Sequence, residues 1–211
     1  MITRDIVIFD LGNVLIDFDP RHVYREYFDG DEEALQHFFD SRAMWDILDH
    51  GHNTLDAWDT AFDDLKAKRP ELSGQIDIFC RDWFKFLLGP MQPTVDLFYR
   101  LHSNNVAVYG LTNWPSQVWP PRSHLDAIEQ HDYSFLEKFD DIVVSGIEQL
   151  KKPDPALYQL ALDRWQVDPR RCIFVDDLYE NIETANSLGI EGHHFTSAEN
   201  LAKMLAAHKL L

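Results

Sequence analysis

The apolar positions of this 211-residue chain follow two alternating rhythms. One is a short unbroken run. "DIVIFD" (5–10) is too continuously apolar for a strand with one wet face, so it reads as a strand buried on both sides. "VAVYGLT" (106–112), "DIVVSG" (141–146) and "CIFVDD" (172–177) have the same character, and "GHHFTS" (192–197) is a weaker fifth strand. The other rhythm is helical and covers 94–103, roughly 118–131, 155–166, 178–188 and 198–209. Asp154 followed by Pro155 supplies an N-cap acceptor and then a proline at the first helical position. Gly189 is a helix stop. Strand and helix in alternation predict an α/β fold: a Rossmann-like parallel sheet covered on both faces.

Residues 17–90 break that alternation. "RHVYREYF", "DEEALQHFFDSRAMWDIL", "TLDAWDTAFDDLKAK" and "QIDIFCRDWFKFLL" are all helical in pattern, with no strand between them. "LLGPMQP" (87–93) punctuates the return. The expected organisation is an α/β core of 1–16 and 91–211, interrupted by an all-helical cap of 17–90.

Composition excludes several roles. With 19 basic against 36 acidic residues the net charge is −17, which argues against nucleic-acid or anionic-membrane partners. An anionic substrate would need a local cation, because the long-range field repels it. No apolar window reaches membrane-spanning length. "MITRD" and the short run after it do not match a signal peptide. Cys80 and Cys172 have no paired spacing. A cytoplasmic location with reduced thiols is the expectation.

In an open parallel sheet, ligands bind beyond the carboxyl ends of the strands. The first strand ends at Asp10 and the second at Thr112-Asn113. "GIEQLKKPDP", with Lys151 and Lys152, follows the third, and the fourth ends at Asp176-Asp177. One sheet edge thus gathers carboxylates, a hydroxyl, an amide and an ammonium. Facing carboxylates repel unless a cation lies between them. Oxygen ligands suit Mg²⁺, which takes one or two carboxylates together with substrate phosphate and water.

These segments, "FDLGNVL", "LTN", "KKPDPALY" and "FVDDLYENIETANSLGI", in that order and spacing, resemble the motifs of the haloacid dehalogenase superfamily. The insertion resembles that family's first type of helical cap. Within the family the motifs look most like those of small sugar-phosphate phosphatases and the phosphatase domain of soluble epoxide hydrolases. The resemblance implies a Mg²⁺-dependent phosphatase acting on a small phosphomonoester. Asp10 would be the nucleophile that forms an aspartyl-phosphate. Asp10, the Gly12 carbonyl and Asp177 would hold the metal. Thr112 and the Asn113 backbone would bind phosphate oxygens, and Lys152 would neutralise the charge of the transition state. Asn181 stands where many relatives have an acid. Asp176 serves either as a ligand or as a structural acceptor, and Asn13 as a turn residue.

Most phosphatases of the superfamily carry a second acid two residues after the nucleophile, and this chain has Gly12. That glycine can neither protonate a leaving oxygen nor activate water. Leaving groups that bear charge easily, such as sugar 1-phosphates, are then favoured, and Asp17 or Asp19 is the obvious substitute. Hydrolytic dehalogenases of the superfamily also lack the second acid, so a metal-independent 2-haloacid dehalogenase is the rival reading. Arg42 in the cap would serve it, although a surface ion pair explains that residue as well. A phosphoryl-binding regulator is the third reading. The cap, beginning at Asp17, Phe18 and Asp19, is expected to choose the substrate. Trp114 and Trp119 could wall the pocket or fill the core. "DHGHN" (49–53) reads as a solvated loop rather than a metal site.

Overall fold

A computed structural model describes residues 3–52, 58–121 and 131–211. Strand β1 (Ile6–Phe9) is buried at every position. Successive side chains of a strand point to opposite faces, and here Val7 and Phe9 enter one core while Ile6 and Ile8 enter another. Apolar material on both sides explains why the run has no polar alternation.

The chain then turns through Asn13, whose φ of 55° is left-handed, a conformation asparagine tolerates better than most residues. It continues as β2 (Ile16–Phe18), α1 (Arg21–Tyr27), α2 (Glu32–Asp40), α3 (Ala43–His52), α4 (Trp58–Lys68), α5 (Ser73–Asp82) and β3 (Leu87–Pro90). The helices pack around aromatic side chains, among them Tyr24, Phe38, Phe62, Phe79 and Phe86. Asp31 caps α2 by accepting from the Glu33 and Ala34 amides. The expectation of an insertion without strands is corrected here. β2 and β3 pair antiparallel and form a ribbon at the base of the helices. Neither strand is long enough to show a period, and the order of β3 comes from its partner rather than from "LLGP" itself.

The remaining elements are α6 (Gln92–Ser103), β4 (Ala107–Thr112), β5 (Asp141–Val144), α7 (Ser145–Glu148), α8 (Pro155–Trp165), β6 (Cys172–Asp176), α9 (Tyr179–Ser187), β7 (Glu191–His194) and α10 (Ala198–Ala207). The Asp154 side chain accepts from the Ala156 amide at 2.9 Å, as its capping pattern requires. Gly189, at φ 87°, follows the end of α9. The last strand runs over 191–194, earlier than the 192–197 expected. Most of the helix expected at 118–131 lies outside the described residues, as does the start of the segment at 54–68. Among the described residues, no helix is long and apolar enough to cross a membrane.

The sheet order is β5-β4-β1-β6-β7, with every pairing parallel. β1 therefore has earlier-added β4 on one side and later-added β6 on the other. This reversal of direction opens a crevice at the carboxyl ends of β1 and β6, where open α/β sheets bind ligands.

Candidate active site

Register places the first two carboxylates. Phe9 pairs with Val175, and the Asp10 amide donates to the Val175 carbonyl at 2.9 Å. Asp10 thus stands beside Asp176, the last residue of β6. Lys152 reaches between them, with Nζ 2.9 Å from Asp10 Oδ1 and 2.7 Å from Asp176 Oδ2. Its side chain is only 1% exposed, so this ammonium has exchanged water for two carboxylates.

The hydrogen bonds separate the roles of the acids. Asp176 Oδ1 accepts from the Leu178 amide and from Asn181 Nδ2, and Oδ2 accepts from Lys152 and Asn181. A carboxylate offers about four lone-pair sites, so Asp176 is saturated by protein donors. Asp10 Oδ1 accepts from the Leu11 amide at 2.7 Å and faces Lys152. Among the described residues nothing donates to Asp10 Oδ2. Asp177 receives a long bond from Asn13 Nδ2, at 3.3 Å, and no ion pair to it is seen among the described residues.

Oxygens of Asp10, Asp176 and Asp177 all lie within 4.8 Å of one another. Burial, reinforced by Asp176 and Asp177 and opposed by Lys152, pushes Asp10 up to about 7. Burial and then Asp176 raise Asp177 as well. Burial works against the Lys152 charge, but Asp10 and Asp176 outweigh it and hold its pKa above the ordinary value. Three carboxylates share one ammonium, and two of them keep unfilled oxygens. That donor set fits a hard divalent cation with oxygen ligands, and Mg²⁺ is such an ion.

The other expected site residues gather at the same edge. Thr112 ends β4 and is buried. The Asn113 side chain grips the Lys152 main chain, with Nδ2 donating to its carbonyl at 3.0 Å and Oδ1 accepting from its amide at 2.9 Å. β4 thereby fixes the loop that aims the lysine. A Cβ built on Gly12 would meet no heavy atom within 4 Å, so space does not demand glycine there.

Several residues stand differently from expectation. Lys151, read as a solvated neighbour, pairs with Asp49 of α3 at 2.7 Å and links the lysine loop to the cap. Asn13 does more than turn the chain, because it donates to Asp177 and accepts from the Phe18 amide. Trp114 is buried against Trp83 and Trp119, so it belongs to the core. His50, expected in a loop, lies in α3, with Nε2 2.8 Å from the Ala61 carbonyl and its ring tilted against Phe62 at 5.1 Å. Asn53 and the His52 side chain lie outside the described residues.

A cavity of about 410 Å³ opens between α3 and this edge, lined in part by Arg42, Trp45, Leu48, Asn113, Lys152 and Leu178. A second, of about 340 Å³, is lined in part by Asn13, Asp19 and Trp45. Asp19 lines this second cavity together with Asn13, and Asp17 lines neither cavity. A surface hollow of about 620 Å³ over α2 is lined by none of the site residues. Trp45 and Leu178 were not legible as site residues. The position of Leu178 directly after "VDD" was the one available signal.

Comparison with known proteins places this geometry. The chain is 32% identical to a sesquiterpene phosphatase of Aspergillus oryzae over 124 residues, which cover 59% of this chain and 59% of that protein. It is 39% identical to a chloroplast flavin mononucleotide hydrolase of Arabidopsis thaliana over 120 residues, covering 53% of this chain and 42% of that protein. The chain thus spans less than two thirds of the length of either relative. In structure it resembles a haloacid dehalogenase family enzyme of Bacteroides thetaiotaomicron, with a TM-score of 0.74, 21% identity, and coverage of 96% of this chain and 98% of that one. The family model described as haloacid dehalogenase-like hydrolase matches residues 4–189, and the chain belongs to that family.

Proposed function

We propose that the protein is a Mg²⁺-dependent phosphatase of small phosphomonoesters, with a core of 1–16 and 91–211 and a cap of 17–90. The observation that carries this reading is the carboxylate triad with its single buried lysine. Asp10, the Gly12 carbonyl and Asp177 would hold the metal. Bound there, Mg²⁺ would neutralise these carboxylates and the phosphate oxygens. The names of the two relatives, a sesquiterpene phosphatase and a flavin mononucleotide hydrolase, also favour phosphate esters over haloacids.

Asp10 Oδ2 attacks phosphorus, and the bond to the leaving oxygen breaks with its electron pair moving to that oxygen. Lys152, already 2.9 Å from the other oxygen of Asp10, holds positive charge beside the transferring group. Thr112 and the Asn113 main chain bind the phosphoryl oxygens. Asp176 takes no direct part and positions Lys152. Water then attacks the phosphorus of the aspartyl-phosphate, which frees Asp10 and inorganic phosphate. Because Gly12 supplies no proton, esters whose leaving oxygen is weakly basic react faster than those of ordinary alcohols.

The test is a panel of phosphomonoesters with and without Mg²⁺, run on the wild type and on Asp10→Asn. Phosphate release that needs Mg²⁺ and vanishes in the variant is expected. Halide release from a 2-haloacid without metal would support the dehalogenase reading instead, and tight ligand binding without turnover a regulatory one.

A further inference from the structure

Among the described residues few large apolar side chains face water, and two of them share one cavity. Trp45 is 47% exposed and Leu178 49% exposed. They reach it from opposite sides, Trp45 from α3 of the cap and Leu178 from the loop that follows β6. Leu48 and Pro153 line the same space, and Lys152 lines it too. Its volume of about 410 Å³ falls within the range of ~300–1,000 Å³ usual for small-ligand sites. Trp45 also lines the neighbouring cavity of about 340 Å³.

The polar groups around this space are poorly suited to a polyhydroxylated ligand. Lys151 and Asp49 are engaged with each other at 2.7 Å. Arg42 and Glu180 are exposed and flexible by type. A sugar ring needs several fixed donors and acceptors, since each unpaired hydroxyl on burial is costly. An apolar group needs only to displace water from Trp45 and Leu178.

We propose that this cavity is a subsite for an apolar leaving group, so that the preferred substrates are phosphomonoesters whose leaving oxygen is weakly basic and whose organic part is apolar, as in alkyl-substituted phenols. The inference rests on the phosphatase reading for the catalytic end only. Lys152 and Asp10 take the phosphoryl group, while Trp45 and Leu178 clamp the organic part from the cap and the core.

The test uses a series of para-alkylphenyl phosphates, from methyl to hexyl. Their leaving groups have nearly constant acidity and differ in apolar area. Burying one methylene is worth about fourfold when complete, so roughly two- to fourfold in kcat/KM per added methylene is expected in the wild type. In Trp45→Ala and in Leu178→Ser the ratio of hexyl to methyl should fall about tenfold. Both side chains are half in water, so neither change threatens the fold. Calorimetric binding of the same series to Asp10→Asn is the second readout, and its Kd should fall with chain length in the same proportion. Hydrolysis without dependence on chain length overturns the subsite and leaves the phosphatase reading standing. Binding that strengthens with chain length, but without turnover in the wild type, overturns the phosphatase reading and supports the subsite. Absence of any chain-length dependence, in rate and in binding alike, overturns the inference.

Discussion

Gly12→Asp is the sharpest perturbation the site offers. A Cβ at Gly12 meets nothing within 4 Å, and its φ is not left-handed, so the larger residue costs little in strain. The new carboxyl would sit two residues from Asp10, about 7 Å along an extended backbone. At an effective dielectric of ~20, a like charge at that distance costs roughly 2.4 kcal/mol. That repulsion favours the protonated form of the new group, which is the form a proton donor needs. General acid assistance typically contributes ~10²–10⁴-fold, or about 3–5 kcal/mol of barrier. The assay is log kcat/KM against leaving-group pKa over a series of phosphate esters. The wild type should show a steep negative slope. Gly12→Asp should flatten it, gaining ~10²-fold or more on the most basic leaving groups and little on para-nitrophenyl phosphate. Gly12→Asn, of equal size but unable to donate an acidic proton, should keep the steep slope. A flat slope in the wild type would refute the reasoning and point to Asp19, which shares a cavity with Asn13, as a donor already in place.

Asp177→Ala should raise the Mg²⁺ concentration for half-maximal activity by at least about tenfold, because it removes the acid to which no ion pair is seen among the described residues; undiminished hydrolysis after EDTA treatment would count against the metal site. Lys152→Ala should abolish turnover and cost ~3–5 kcal/mol in chemical denaturation, since two buried carboxylates lose their shared cation. Lys151→Ala breaks an exposed pair worth ~0–1 kcal/mol and should leave melting nearly unchanged, and equal effects of the two would contradict the geometry. Burial pushes the Cys172 thiol up to about 12, so a disulfide reagent at pH 8 should label that residue only after unfolding; rapid native labelling would disprove its burial.

The sheet was legible in the sequence because parallel strands covered on both faces leave continuous apolar runs, as in Ile6–Phe9 and Cys172–Asp176. Asp10, Thr112 and Asp177 were legible because they punctuate those runs. Pairing partners distant in sequence were not. Nothing near Lys151 announces Asp49, 102 residues away, and nothing in "IDF" announces its pairing with β3. The division of labour within Asp176-Asp177 was equally hidden. It depends on Asn181, Leu178 and Lys152 filling one carboxylate and leaving the other open.

The ribbon β2–β3 has a consequence for how the molecule is made. β1 precedes the other described strands along the chain, and its partners lie far downstream, with Ile6 registered against Ala107 and Cys172. Both edges of the central strand therefore stay unpaired until β4 is made, and one edge until β6 is made. Helices of the insertion contact one another at short range and can form in that interval. Once Ile16 meets Pro90, the ends of the intervening segment are held together, and a long loop becomes a short one. β4 can then find β1 at a much smaller entropic cost. The cap acts as a scaffold during folding before it acts as a wall of the pocket, and a defect in its packing should appear as aggregation of nascent chains before it appears as lost activity.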